Sequence, residues 1–343
     1  MPGTLSPGRL LFRTGVVATL LVLVMLACSL VGPQTISLKS VASVSTSAAA
    51  PNPDYEIFFR IRVPRIILAA LVGAALAGAG VVFQALLRNP LADPYILGIS
   101  SGAGLGVIVA ILSGLTWTLW GRSPIALFAF LGALGTVWLV WGIGRSAGKY
   151  HVTGLLLAGV VVNAFLSALI MFLTSVAQSQ HLYATIFWLM GNMTEEDFLV
   201  LWVGGGGIVA GLVGLFFLGP QLNIISVGSQ DARSVGVPVE RIELAAFALA
   251  AFITAVAVSL SGLIGFVGLI IPHAVRIVFG PDHRQLLPLS SLLGAMFLVV
   301  ADTIARTIVA PAQLPVGVIT AIMGGPFFLI LLIRYSRKVY WLA

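Results

Sequence analysis

The amino-acid sequence predicts an all-α polytopic membrane protein, and three observations lead to this fold class. Of the 343 residues, 59% are hydrophobic and only 8% are charged, whereas about a quarter of the residues in a soluble domain are charged. The mean hydropathy is +1.10. The apolar residues also fall into runs of about 20, the length that a helix needs to cross a bilayer. Such a chain cannot cover a water-facing surface, so its helices are expected to lie in a membrane.

Ten apolar runs follow one another, and each predicts one spanning helix of a single transmembrane domain, residues 1–343. Residues 32–59 interrupt the series with prolines among Ser, Thr and Ala, which indicates a loop with little regular structure. Residues 219–242 form a second polar interruption. The predicted spans are 12–31, 63–83, 95–114, 123–144, 152–176, 198–218, 243–260, 263–279, 287–305 and 315–333.

The basic residues indicate the orientation, because cytoplasmic loops collect Lys and Arg. If the N-terminus is inside, the inner loops hold Arg9, Arg13, Arg88, Arg145, Lys149, Arg233, Arg241, Arg276, Arg284, Arg334, Arg337 and Lys338. The outer side then holds Lys39, Arg60, Arg62, Arg65, Arg122 and Arg306. This asymmetry predicts that both termini are cytoplasmic. Three of the outer cations lie in one stretch, FFRIRVPRII, residues 58–67, which runs against the rule.

The motifs argue against catalysis by this chain. It has no G-x-x-x-x-G-K-[ST] phosphate loop and no H-E-x-x-H pair, and its four histidines are scattered singly. The single cysteine, Cys28, excludes an internal disulfide and a thiolate metal cluster. We therefore expect neither an enzyme nor a bound metal. The net charge of +7 is interpreted as topological, so no nucleic-acid partner is expected.

An ion-coupled secondary carrier is the main alternative from another functional class. Such a carrier is expected to keep ionisable groups in mid-membrane, but the predicted spans are nearly free of acidic residues. Asp302 is the exception, and it lies one helical turn before Arg306. An i,i+4 ion pair near the outer surface is the simpler interpretation of this spacing.

Three groups of motifs resemble one family when they are taken in order. The first is RVPR followed by FQALLRNPLADPYILGISSGAG, and the second is GFVGLIIPHAVR with GPDHRQLLP. The third is AD-x3-R with LPVGVITA-x3-GPFF. From about residue 55 to 333 the chain resembles the FecCD permeases of importers for ferric siderophores, haem and vitamin B12. The resemblance implies the type II ABC importer permease fold of ten helices, in a bacterial or archaeal cytoplasmic membrane.

The resemblance also implies partners, which would explain why the chain lacks both a phosphate loop and coupling acids. They are a second permease subunit (identical or paralogous), two ABC ATPase subunits that hold ATP and Mg²⁺, and an extracytoplasmic substrate-binding protein. This chain itself is expected to bind no cofactor. A ferric siderophore or a related large cofactor is the expected substrate, and haem and vitamin B12 remain open.

Two groups of cytoplasmic site residues follow from the resemblance. Residues 219–242, the coupling segment, are expected to sit in a cleft of the ATPase, with Gly236 ending the first of two short helices in a left-handed conformation. The residues assigned to coupling are Gly228, Ser229, Asp231, Ala232, Arg233, Ser234, Gly236 and Pro238. The residues assigned to the inner gate and pathway are Gln84, Asn89, Leu91 and Thr153.

The outer arginines form the third predicted site. Pro64 is expected in the first turn of the second span, where its missing N–H has no partner to lose. Cations at a helix N-terminus oppose the helix dipole, so an external compensation is expected. We predict that carboxylates of the binding protein supply it. Membrane lipid phosphates are the alternative partner, because arginines at an interface can reach them. The docking residues are Arg60, Arg62, Arg65 and Arg306.

Overall fold

The computed structural model describes residues 6–42, 52–114, 124–146, 151–193 and 198–340. Within these ranges the regular secondary structure is helical. Its α-helices are α1 Pro7–Leu30, α2 Leu38–Ala42, α3 Pro53–Glu56, α4 Val63–Leu86, α5 Ile99–Leu112, α6 Ile125–Ser146, α7 His151–Val176, α8 Ser179–Leu189, α9 Phe198–Phe217, α10 Gly219–Val227, α11 Ser229–Ser234, α12 Val239–Ser261, α13 Val267–Phe279, α14 His283–Thr307 and α15 Val316–Tyr340.

Ten of these helices coincide with the ten predicted spans. In the described part of the chain, seven helices are long and apolar enough to cross a membrane, and three shorter apolar helices correspond to α5, α13 and α15. The all-α polytopic membrane fold is thereby confirmed, and the ten predicted spans correspond to seven helices of spanning length and three shorter apolar helices. The short helix α8 was not predicted, and it lies between the fifth and sixth predicted spans.

The second span begins earlier than predicted. Asn52 caps α3, and Pro53–Leu86 form one continuous helix of 34 residues. The end of the predicted loop 32–59 is therefore helical. Pro64 is the second residue of α4, as predicted, but helical residues from Pro53 onwards precede it, so it does not begin the span.

A π-helical segment explains how Pro64 fits inside this long helix. Residues Ile57–Arg62 form the π-helix, in which the N–H of Val63 donates to Phe58 O. Proline has no N–H, so a carbonyl one turn earlier loses its α-helical partner. The wider π-turn absorbs that local irregularity before the regular helix α4 resumes.

Helix α4 lies at the centre of the bundle, and buried apolar side chains from α4, α5, α6, α12 and α14 form one cluster. It crosses α14 backbone to backbone, because a Cβ on Gly73 would lie 2.2 Å from Gly294 O. Helix α5 approaches α6 in the same way at Gly102, where a Cβ would lie 2.4 Å from Gly132 O. Small residues therefore set the helix spacing.

Candidate functional site

The coupling segment consists of two short helices, α10 and α11, that precede α12. The left-handed conformation predicted for Gly236 is confirmed, with φ at +85°. However, Gly236 ends the second helix of the pair, and the first helix, α10, ends at Val227. A Cβ at Gly236 would meet open space, so the backbone conformation alone makes glycine favourable at this position.

Hydrogen bonds at the end of α11 form a Schellman motif. The N–H of Gly236 donates to Arg233 O and the N–H of Val237 donates to Ala232 O, both at 3.0 Å. This pair of bonds satisfies helix-terminal carbonyls. Val237 packs with a small cluster that includes buried Ala232, so Ala232 supports the segment from inside and its side chain is not accessible to a partner.

The solvent-accessible surface of the coupling segment includes apolar side chains. Val227 is 80% exposed and Val235 is 67% exposed, and both flank helix α11. Both side chains are therefore accessible to another protein. Among the residues assigned to coupling, Asp231, Arg233, Ser234 and Pro238 are exposed, and Gly228 and Ser229 are half-buried.

A polar contact holds α10 against the start of α14. The Asn223 side chain donates to Asp282 Oδ1 at 2.7 Å, and its Oδ1 accepts the N–H of His283 at 2.8 Å. Asp282 in turn caps α14. A hydrogen bond from the Arg284 side chain lowers the pKa of Asp282 to about 2, so this carboxylate is ionised at neutral pH. The sequence contained no signal that would pair Asn223 with this turn.

The predicted docking arginines lie mostly inside the protein, around one fully buried carboxylate. Arg65 Nη2 lies 2.9 Å from Asp302 Oδ1, and Arg306 Nε lies 3.5 Å from Asp302 Oδ2. The predicted Asp302–Arg306 pair is confirmed. Arg65 also donates to the Gln313 side chain at 2.8 Å.

Backbone carbonyls at the end of α1 complete this arrangement. Arg62 Nη1 donates to Ser29 O and Leu30 O at 3.1 Å each, and Arg306 Nη2 donates to Cys28 O at 2.8 Å. Three carbonyls that lack helical donors at the α1 C-terminus therefore receive charged donors. The buried cations tie α1 to α4 and α14.

This geometry corrects the reason given for the docking prediction. Arg62, Arg65 and Arg306 are 3%, 8% and 3% exposed, and each has hydrogen-bonding partners in its own chain. Their compensation is internal, so the premise that another protein must supply carboxylates is wrong. Arg60 differs from them, because its side chain is 72% exposed and pairs with Glu56 at 2.8 Å.

Two of the predicted gate residues make structural contacts instead of lining an open path. Gln84 is buried, and its amide donates to the carbonyls of Gly268 at 3.5 Å and Leu269 at 3.3 Å in α13. Asn89 closes a tight turn, because its Oδ1 accepts the N–H of Leu91 at 2.9 Å. The assignment of Gln84 to the pathway wall does not fit its burial between α4 and α13.

Leu91 is the gate prediction that borders a small cavity. The cavity has a volume of about 10 Å³, room for about one water molecule, and Leu269, His273 and Phe327 also line it, which places the 87–93 connection against α13 and α15. The side chain of Thr153 lies outside the described residues, although α7 includes its backbone.

A break between α12 and α13 was not predicted as an intramembrane feature. Gly268 lies against Gly80 inside the bundle, because a Cβ on Gly80 would lie 2.0 Å from Gly268 O. Non-helical backbone at such depth occurs where protein buries it or a cavity adjoins it. Here the Tyr95 hydroxyl accepts the N–H of Ile264 at 2.8 Å, and Phe266 adopts φ of +71°.

A bundle of apolar helices, with non-helical backbone buried between α12 and α13, defines a polytopic membrane protein. The comparison with family models then gives the family. The model of the FecCD transport family matches residues 20–334, and the chain belongs to this family. The resemblance found in the sequence motifs is confirmed.

Individual relatives agree with this assignment. The chain is 38% identical to the hemin transport system permease protein HmuU of Yersinia pestis over 340 residues, which cover 98% of this chain and 99% of the relative. It is 43% identical to the cobalamin import system permease protein BtuC of Halobacterium salinarum over 282 residues, 82% of this chain and 74% of the relative. These relatives are permease subunits of ABC importers.

A solved structure supports the same architecture. It is described as an inward-facing conformation of a metal-chelate type ABC transporter, and it superposes with a TM-score of 0.78 at 30% identity. The match covers 93% of this chain and 99% of the solved chain.

Proposed function

We propose that this chain is the transmembrane subunit of an ATP-driven importer for an iron chelate, with a ferric siderophore as the substrate. Haem and vitamin B12 are the alternative substrates of the same machine. Support comes from the relatives, whose names describe permeases for hemin, cobalamin and iron chelatin. The chain acts as one transmembrane domain and takes its energy from separate ATPase subunits.

The observation that carries this proposal is the exposed apolar face of the coupling segment. Val227 and Val235 are accessible, although the segment itself is anchored to α14 through Asn223. A firmly held polar segment with accessible valines is suited to enter the cleft of a partner protein. We infer that this partner is the ABC ATPase.

The proposed assembly has two permease subunits, two ATPase subunits and an outer binding protein. The distribution of basic residues supports a cytoplasmic-membrane orientation with both termini and the coupling segment inside. The outer side then carries the 32–59 loop and exposed Arg60, which can contact the binding protein. An ion-coupled carrier is disfavoured, because Asp302 is already engaged by Arg65 and Arg306.

Reconstitution with the cognate ATPase subunits and binding protein tests the proposal. Proteoliposomes should take up radiolabelled ferric siderophore, haem or cobalamin only when ATP is supplied. Val227→Asp with Val235→Asp should weaken ATPase binding at least about tenfold, because burying one valine contributes about 1.5–3 kcal/mol. Co-purification and ATP hydrolysis measure this effect.

Ile308→Asp is the matched control, since Ile308 is an accessible apolar residue at the opposite end of the bundle. This variant should retain the ATPase. Uptake that follows an ion gradient without ATP would refute the importer proposal in favour of a secondary carrier. ATPase binding that survives the valine substitutions would refute the assignment of the interface.

A further inference from the structure

Arg88, two residues beyond the end of α4, has a backbone conformation that arginine rarely adopts. Its φ is +47°, and among the described residues only Phe266 shares a positive φ without being glycine. The left-handed region is sterically unfavourable for a residue with a side chain, and glycine adopts it freely. The contacts of the arginine side chain show what glycine would lack at this position.

The guanidinium reaches the junction between the two coupling helices. Arg88 Nη2 donates to Ile225 O at 3.4 Å and also to the hydroxyl of Ser229. Ile225 lies in the last turn of α10, where carbonyls have no helical donor, and Ser229 begins α11. One side chain therefore joins the end of α4 to both helices of the coupling segment.

The residues after Arg88 form a tight turn that ends at the cavity. The N–H of Leu91 donates to the Asn89 side chain at 2.9 Å, and the N–H of Ala92 donates to Asn89 O at 3.0 Å. Leu91 follows in the cavity next to α13 and α15. The hydrogen-bonded turn therefore connects Arg88, which contacts the coupling helices, directly to Leu91.

We propose that Arg88 is a positioning residue that transmits movement of the coupling segment to Leu91 at the inner end of the pathway. When the ATPase displaces α10 and α11, the guanidinium carries the end of α4 and the attached turn with them. The inference rests on the proposed function, since the ATPase supplies the displacement. Asn223 holds α10 to α14 by a separate contact, so loss of the Arg88 side chain leaves the segment attached.

Arg88→Gly separates this role from a structural one. Glycine suits the left-handed conformation, so the variant should be at least as resistant to thermal unfolding as the unchanged chain and should still assemble with the ATPase. The readout is maleimide labelling of Leu91→Cys in a Cys28→Ser background, which removes the single native cysteine. In the reconstituted complex, ATP should change the labelling rate, and this response needs no transported substrate.

In the Arg88→Gly variant the ATP-dependent change in labelling should shrink by about twofold to thirtyfold, the range found for residues that carry coupling. ATP hydrolysis should continue. Arg145→Ala is the matched control, because Arg145 is an exposed arginine at the same end of the bundle, and its labelling response should be unchanged.

An undiminished ATP response in Arg88→Gly would overturn the proposal. If that variant does not assemble, Ser229→Ala removes a partner of the same contact, and it should reduce the labelling response in the same direction. A normal response in Ser229→Ala would then overturn the inference. Failure of the unchanged complex to hydrolyse ATP or to show any ATP-dependent labelling would instead count against the proposed importer function.

Discussion

Asp302 provides the sharpest test of the buried arginine cluster. This carboxylate is fully buried and faces the guanidinium groups of Arg65 at 2.9 Å and Arg306 at 3.5 Å. Asp302→Asn keeps the shape of the side chain and removes its charge. Two guanidinium groups then lose their anionic partner inside the bundle, where the solvent does not replace it.

The expected magnitude follows from the burial of the pair. Removing one partner of a buried ion pair destabilises a protein by about 3–5 kcal/mol, because the other charge is left uncompensated. Exposed ion pairs contribute only about 0–1 kcal/mol. Glu56→Gln is therefore the matched control, since it removes the carboxylate that pairs with exposed Arg60.

Unfolding of the purified chain in detergent micelles by a denaturant measures both effects. Asp302→Asn should lower the free energy of unfolding by several kcal/mol, and Glu56→Gln should change it by less than about 1 kcal/mol. Adding Arg65→Met to Asp302→Asn should recover part of the loss, because one unpaired cation is removed. If Asp302→Asn lowers the free energy of unfolding no more than Glu56→Gln does, the arginine cluster does not depend on this carboxylate and our reasoning is refuted.

Two further predictions concern the connections at the inner end of the bundle. Gly236→Val forces a β-branched residue to φ of +85°, which costs about 1–3 kcal/mol locally. ATP-dependent uptake should therefore fall, while the amount of chain in the membrane fraction stays the same. Normal uptake would count against the role of this turn. Burial raises the pKa of Asp93 to about 6, so the folded chain favours the protonated acid, and stability should decrease as pH rises from about 4 to about 6. The thermal midpoint of the unchanged chain should fall over this pH range, and that of Asp93→Asn should not. An identical pH profile in the variant would contradict the raised pKa of Asp93.

The spanning helices could be predicted because their signal is local. Each requires a run of apolar residues, and the bilayer thickness fixes the length of that run. The burial of the arginines could not be predicted in this way. Arg65 and Asp302 are separated by 237 positions along the chain, and counting basic residues in loops treats every arginine as solvent-exposed. The three cations that ran against the rule are explained only once Arg62 and Arg65 are seen inside the bundle.

The coupling segment likewise combines a local feature that the sequence predicts with long-range contacts that it does not predict. Gly236 and Pro238 mark a local break, and the family resemblance added a left-handed helix end at Gly236. That conformation is confirmed, although Gly236 ends the second helix of the pair and not the first. The contacts of Arg88 with Ile225 and Ser229 span 137 and 141 positions. The positive φ of Arg88 carries no sequence signal either, because arginine is not a residue that marks such a conformation.

Gln84 shows why an interrupted helix can exist inside this bundle. Pro272 in α13 has no N–H, so the carbonyl of Gly268, four residues earlier, loses its usual helical donor. The Gln84 amide lies 3.5 Å from that oxygen and 3.3 Å from Leu269 O, and Gly80, one turn before it, has no Cβ to keep the helices apart. A polar residue that the sequence assigned to the pathway thus satisfies backbone groups that a membrane could not. It follows that the proline-containing helix is held in place by α4, the same helix whose end carries Arg88.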